Sequence, residues 1–172
     1  MNTSRRWKIL FFFAFGLALG SAFCMKWMES DLRIGNETFT IIGLELFYSK
    51  AKVIEIFTHM SEHVRSVLSY HLHIDFAFMA GVYPAIAAMC MIAKEKTYTL
   101  SLKRILYVLA YLQLLAWAAD IAENVYLLKW IENPVIGNEF GLYHLIVIAK
   151  WVIATLGVLA GGFVLLIKRI RR

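Results

Sequence analysis

Three polar residues that could do chemistry lie close together in a mostly apolar stretch of the chain. Asp120 precedes Glu123 by three residues and Asn124 by four, and these spacings place the three side chains on one face of a helix. An isolated charge inside a membrane costs about 3 kcal/mol on insertion scales, so such residues pair with one another, bind a ligand or face the interior of a bundle. A partner for the two carboxylates is therefore expected elsewhere in the chain.

Ionisable residues at matching depth occur in the neighbouring apolar stretches. With a rise of about 1.5 Å per residue, Asp120 lies roughly 12 Å before the outer end of the third span, and Lys150 lies roughly 12 Å after the outer start of the fourth. The two residues are therefore expected at the same depth in the membrane. We therefore predict that Lys150 pairs with Asp120 or Glu123. The full polar cluster predicted for the outer half of the bundle consists of Asp75, Asp120, Glu123, Asn124, His144 and Lys150.

Two roles of different classes stay open for this cluster. As a structural polar lock it would fix the register of the helices in lipid, and the chain would be a non-enzymatic accessory or structural subunit. As a pocket open to the outer side it would belong to an enzyme or carrier that binds a lipid headgroup or another polar ligand. The surplus of acids over Lys150 favours the pocket, whereas the apolar inner half of the spans argues against a conducting path.

A metal site is a further alternative, because a carboxylate and histidines lie near one another in the sequence. His71 and Asp75 have the i,i+4 spacing that aligns two ligands on a helix. The candidate ligands are His71, Asp75, Asp120, Glu123 and His144. The sequence has no His-Glu-x-x-His arrangement, nucleophile motif, phosphate loop or haem-attachment motif, so it indicates no cofactor and leaves enzymatic activity undecided.

Four apolar stretches are long enough to cross the hydrocarbon core of a bilayer. Hydrophobic residues make up 60% of the 172 residues, and the predicted spans are 9–25, 76–93, 105–128 and 142–167. The sequence therefore predicts an all-α polytopic membrane protein, with residues 1–172 forming one domain built on a four-helix transmembrane bundle.

The net charge of +6 follows membrane topology rather than a nucleic-acid-binding surface. Eleven of the 18 basic residues lie before the first span, between the second and third spans, or after the fourth. Glu95 is the one acid in these three segments. The eleven are Arg5, Arg6, Lys8, Lys94, Lys96, Lys103, Arg104, Lys168, Arg169, Arg171 and Arg172. Short loops rich in Lys and Arg stay cytoplasmic. We therefore predict a multi-pass protein of the cytoplasmic (inner) membrane with both termini in the cytoplasm. Its expected partners are membrane lipid and a further membrane subunit or a second copy, not nucleic acid.

The outer segment, residues 26–71, is the one sizeable part predicted outside the membrane. Apolar residues at intervals of three and four predict an amphipathic outer helix over about residues 50–68, with Ser49 as its N-cap, packed over the bundle. The first span also has the pattern of a cleavable signal peptide, but we expect it to be retained.

Pairs of glycines spaced by four residues occur in the first and last spans. Gly16 and Gly20 lie in the first, and Gly157 and Gly161 lie in the last. Because this spacing lets helices approach closely in lipid, it predicts that these two spans pack together.

The polar positions also resemble those of a group of small bacterial four-span membrane proteins with no assigned activity. The resemblance covers about residues 47–167, and its most specific part is the Asp120-x-x-Glu123-Asn124 element. It is further carried by Tyr48, Ser49, Arg65, Tyr70, Asp75, Tyr83, Lys150 and Trp151. The resemblance implies the four-span architecture and marks these positions without implying a function.

Overall fold

Five α-helices make up most of the described part of the chain, and the four longest form a bundle. The computed structural model describes residues 3–170 and the side chains of residues 4–167, so the predicted basic cluster at residues 168–172 lies outside the described side chains. The helices are α1 (Thr3–Met28), α2 (Lys50–His59), α3 (Glu62–Lys96), α4 (Leu100–Glu132) and α5 (Glu139–Ile170). All but α2 are long and apolar enough to cross a membrane, which confirms the predicted all-α four-helix architecture. Each predicted span lies inside one of these four helices.

A capping segment, residues 29–60, covers one end of the bundle, which we name the capped end. It begins with a 3-10 helix (Glu29–Asp31) and continues into an antiparallel hairpin of β1 (Arg33–Ile34) and β2 (Glu37–Thr38). Gly35 adopts a φ of 57° in the turn of this hairpin, a conformation that glycine reaches without steric cost. A π-helix (Gly43–Phe47) and α2 complete the segment.

A mixed aliphatic and aromatic core joins the capping segment to α3, α4 and α5. Trp130, at the end of α4, is fully buried and contacts the rings of Phe57, Phe140 and Tyr143. Leu44 of the π-helix belongs to the same core, and its carbonyl oxygen accepts a hydrogen bond from the Tyr143 hydroxyl at 3.3 Å. Burial of this apolar surface fixes the capping segment on the bundle.

The predicted outer helix is interrupted, so its predicted extent over residues 50–68 is wrong. The N-cap at Ser49 is confirmed, since its hydroxyl oxygen accepts from the Lys52 amide, but α2 ends at His59. A second serine, Ser61, accepts from the Val64 amide and begins α3, which runs without a break into the second span. The apolar periodicity continues across the interruption because residues on both sides of it pack into one core.

Helix α1 packs on α3 through small residues. A Cβ atom added to Gly81 would lie 2.5 Å from the Ala18 amide nitrogen and 2.7 Å from the Ala14 carbonyl oxygen. Because these are backbone atoms, α1 can approach this closely only where α3 carries glycine.

The predicted packing of the first span on the last through their glycine pairs is wrong. Space within 4 Å of the Cβ positions of Gly16 and Gly20 is empty of other described residues, whereas Gly157 and Gly161 pack against side chains of α3 and α4. The small residues at which α1 packs are Ala14 and Ala18, and the glycine of this contact is Gly81 on α3.

Candidate functional site

Lys150 lies inside α5 and is surrounded by three carboxylates. Its Nζ atom is 2.5 Å from Asp120 Oδ1, 2.5 Å from Glu123 Oε2 and 3.4 Å from Glu45 Oε2. Lys150 is 5% exposed, and none of the three acids is more than 8% exposed. The predicted pairing of Lys150 with Asp120 or Glu123 is confirmed, and both acids take part.

The two α4 acids differ in how they meet the ammonium group. Asp120 accepts a hydrogen bond from Lys150 through Oδ1, and its Oδ2 accepts from the Tyr83 hydroxyl at 2.8 Å. Glu123 is an ion-pair partner by distance, but neither of its oxygens has a hydrogen-bond partner in favourable geometry. Asp120 therefore connects α3, α4 and α5, whereas Glu123 contributes charge to the same point.

Glu45, on the π-helix of the capping segment, is the third acid and was missed by the sequence analysis. Its Oε2 accepts a hydrogen bond from the Trp151 indole nitrogen at 2.8 Å, in addition to facing Lys150. The signal that could have found it is a lone acid in the apolar run from Leu44 to Phe47. Placed there by the packing of Leu44 into the core, Glu45 brings the capping segment into the charged site.

We name this constellation the Lys150 cluster, and it consists of Glu45, Tyr83, Asp120, Glu123, Lys150 and Trp151. It holds one formal positive and three formal negative charges, all taken out of water. Removing charges from water is costly, and their mutual attraction offsets that cost only when the remaining polar atoms are hydrogen-bonded. Apart from Glu123, every carboxylate in the cluster meets this condition.

A second polar contact joins α3 to α4 beside the Lys150 cluster. The Asn124 side-chain nitrogen donates to Asp75 Oδ2 at 2.8 Å and to the Leu72 carbonyl oxygen at 3.2 Å. Asn124 is buried and Asp75 is half-buried. These two predicted site residues therefore lie together and between helices.

His144 lies apart from the other predicted site residues, so its predicted place in the polar cluster is wrong. Its ring stacks on Phe140 with centroids 6.3 Å apart, and within residues 4–167 it forms no hydrogen bond or ion pair. Six residues separate His144 from Lys150, which turns their side chains about 120° apart on a helix. Tyr143 and Val147 occupy the face that Lys150 shares.

The candidate metal ligands do not assemble. Among the described residues, no three His, Cys, Asp or Glu side chains form a group that could hold a metal ion. His71 is buried with an unpaired Nδ1, His144 stacks on Phe140, and Asp75 binds Asn124. The Lys150 ammonium occupies the position between the α4 acids where a metal ion would have to bind.

Two clefts on the molecule are lined by residues outside the Lys150 cluster. One, of about 670 Å³, lies between the β-hairpin and α2. The other, of about 550 Å³, lies between the start of α3 and the end of α4. The charged groups of the Lys150 cluster are buried, which limits the chemistry that its carboxylates can perform on a molecule from solution.

Comparisons with protein-family models, curated proteins and solved structures find no match to this chain.

Proposed function

We propose that the chain is a non-enzymatic accessory or structural protein of the membrane in which the Lys150 cluster locks three helices and the capping segment together. The observation that carries this proposal is the contact of one buried ammonium group with carboxylates from α4 and the capping segment. Tyr83 extends the connection to α3. Paired groups inside a bundle specify helix register in lipid, where the hydrophobic effect does not discriminate between arrangements.

We further propose that the chain lies in the cytoplasmic membrane. Both termini then lie in the cytoplasm, and the capped end faces the outside. The support is the concentration of basic residues before α1, between α3 and α4, and after the last span. In this orientation the Lys150 cluster lies in the outer half of the bundle. Membrane lipid then covers the exposed apolar side chains, such as Phe12 and Phe13 of α1.

Membership in the resembling group of small bacterial four-span proteins is also a proposal. Its support is that Tyr83, Asp120, Glu123, Lys150 and Trp151, which carry the resemblance, lie in one contact network. A shared role of these positions in holding the bundle would account for their co-occurrence. A further membrane subunit, or a second copy of the chain, is the partner that an accessory role implies.

A second candidate function, binding of a polar ligand at the outer leaflet by an enzyme or carrier, is favoured by one observation. Glu123 is fully buried, yet its Oε1 has no hydrogen-bond partner, and the cluster holds three acids for one lysine. A cationic headgroup or another donor would satisfy that oxygen. This alternative requires the acids to be reachable from outside the protein.

Carboxylate labelling of the unmodified protein separates the two functions. The chain in native membranes is treated with a water-soluble carbodiimide and a small amine, and labelled positions are mapped by peptide mass spectrometry. The structural function predicts reaction at the exposed Glu37 and Glu62 but at none of Glu45, Asp120 and Glu123 until the protein is unfolded. Reaction of Glu123 or Asp120 in the folded protein would contradict it and favour the ligand pocket.

A further inference from the structure

A groove between α3 and α4 at the capped end has a lining that suits an anion. Its volume is about 550 Å³, and it is lined by Arg65, Ser66, Ser69, Tyr70, His73 and Ile131. The lining offers a guanidinium group, three hydroxyl groups and an imidazole, and it contains no carboxylate. Phosphate oxygens are acceptors only, so the guanidinium and hydroxyl donors match a phosphate better than an amine.

Arg65 is held in place by the end of α4. Its Nη1 donates to the carbonyl oxygen of Ile131, one of the last carbonyls of α4, which have no partner within the helix. Arginine has five N–H donors, so this contact leaves others available to a ligand. The helix end thus fixes the guanidinium group at the groove without using up its hydrogen-bonding capacity.

The remaining polar groups lie along the same side of α3. Ser66, Ser69, Tyr70 and His73 are spaced by one, three or four residues, and Tyr70 is 68% exposed. The His73 Nδ1 donates to the Ser69 carbonyl oxygen at 2.7 Å, so Nε2 can donate to a ligand only when the ring is protonated. The acids nearest to these residues in the sequence, Glu62, Asp75 and Glu132, all lie outside the lining, and Asp75 instead accepts from Asn124.

The membrane-side part of the groove, from Ser69 to His73, lies at the depth of the lipid headgroup layer. Helix α3 has 35 residues, about 52 Å, whereas the hydrocarbon core needs about 20 residues. Counting about 20 residues back from Ala93, which precedes Lys94 and Lys96, places the second boundary of the core near Ile74. Residues 69–73 then span about the next 7 Å, which is the thickness of the headgroup layer on one side, and Arg65 lies about one helical turn further out.

We propose that this groove binds the phosphate group of an anionic membrane phospholipid. The proposal rests on the four-span placement given above and is independent of the role of the Lys150 cluster. The lining lacks the carboxylate that would pair with a choline or ethanolamine cation, so an anionic headgroup is preferred to a zwitterionic one. A free phosphate in solution offers the same oxygens but lacks the acyl chains that the lipid-facing side of the groove would contact.

The test measures binding of short-chain phosphatidylglycerol to the purified full chain in detergent, by native mass spectrometry. Phosphatidylcholine with the same acyl chains and inorganic phosphate are measured in parallel. We expect phosphatidylglycerol to bind about tenfold more tightly than phosphatidylcholine, and equimolar inorganic phosphate to leave its binding unchanged. Equal binding of the two lipids, or displacement of the lipid by inorganic phosphate, would overturn the proposal.

Variants locate the site. The double variant Ser66→Ala/Ser69→Ala removes two hydroxyl donors and should weaken phosphatidylglycerol binding about tenfold. His63→Ala, an exposed histidine of α3 outside the groove, is the matched control and should bind as the unmodified chain does. Arg65→Lys should also weaken binding, but because Arg65 holds the end of α4 the serine variant decides. Unchanged lipid affinity in the serine variant would overturn the site.

Discussion

Trp151 and Glu45 lie 106 residues apart in the sequence, and the Trp151 indole nitrogen donates to Glu45 Oε2 at 2.8 Å. The same oxygen lies 3.4 Å from Lys150 Nζ. Neighbouring residues of α5 therefore hold one carboxylate of the capping segment from two sides. Because Glu45 is the one acid of the Lys150 cluster outside the bundle helices, it links the capping segment to the ion pairs within the bundle.

Replacing Glu45 should loosen the capping segment. Glu45→Ala removes the ion pair and the hydrogen-bond acceptor, and we expect a loss of about 2 kcal/mol in the free energy of unfolding, because Trp151 loses its buried partner. Glu45→Gln keeps an acceptor for Trp151 and should lose less. Thermal unfolding in detergent measures the stability, and hydrogen exchange of the Gly43–Phe47 amides measures the loosening.

Glu37→Ala is the control for this change, since the Glu37 side chain is 80% exposed and its contact is an exposed ion pair with Lys52. Such pairs contribute about 0–1 kcal/mol. If the Gly43–Phe47 amides exchanged no faster in the Glu45→Ala protein than in the Glu37→Ala protein, Glu45 would not hold the capping segment.

Adding a side chain at Gly81 should separate α1 from α3. A Cβ atom there would lie within 3 Å of the backbone of Ala14 and Ala18, and backbone cannot move aside as a flexible side chain can. We expect Gly81→Val to lower stability by about 3 kcal/mol through overpacking. Gly16→Val and Gly20→Val, whose Cβ positions face empty space within the described residues, serve as controls in the same unfolding assay. Equal effects at all three positions would show that α1 packs differently.

Removing the Tyr83 hydroxyl should weaken the tie between α3 and Asp120. Tyr83→Phe keeps the ring and deletes one buried hydrogen bond of 2.8 Å, so a loss of about 1 kcal/mol is expected. Tyr107→Phe removes a hydroxyl from the exposed pair Tyr107 and Tyr111 and should change stability by less than about 0.5 kcal/mol. A Tyr83→Phe protein as stable as the Tyr107→Phe control would remove Tyr83 from the lock.

The spans and the central ion pair could be predicted from the sequence because both follow from periodicity and length. Apolar stretches of about 20 residues report the hydrocarbon thickness, and equal depth on adjacent helices brings Asp120 and Lys150 together. Neither inference needs the tertiary fold. The sequence also predicts that His144 and Lys150 lie on different faces of α5, because they are six residues apart. His144 was wrongly assigned to the cluster because only its depth in the membrane was considered, and not its direction around the helix axis.

Glu45 and the interruption near Met60 could not be predicted in the same way. The segment around Glu45 has no sustained helical or alternating pattern, and its position depends on the core that Leu44 shares with residues of α3, α4 and α5. The apolar periodicity continues across the break at Met60 and Ser61, because apolar residues of α2 and of α3 pack into one core. The periodicity alone therefore predicts one continuous helix. Both features are set by long-range packing.

Membrane orientation is tested with reporter fusions. Reporters after Lys96 and after Arg172 should behave as cytoplasmic, and one inserted near Gly137, in the connection between α4 and α5, should behave as external. The physical reason is the retention of Lys- and Arg-rich loops on the cytoplasmic side. An external reporter signal from the C-terminus would overturn the proposed arrangement.

The most direct test of the lock is a double-mutant cycle between Lys150 and Asp120. Lys150→Met leaves buried carboxylates without their counter-charge and should lower the free energy of unfolding by about 3–5 kcal/mol. Lys129→Met, which removes an exposed lysine of α4, should change it by less than about 0.5 kcal/mol. Unfolding in mixed detergent micelles is measured for the unmodified chain, for the single variants Lys150→Met, Asp120→Asn and Lys129→Met, and for the double variant Lys150→Met/Asp120→Asn. The lock predicts that Asp120→Asn restores about 1–3 kcal/mol to the Lys150→Met protein. Strictly additive losses, or a Lys150→Met protein as stable as the Lys129→Met control, would contradict it.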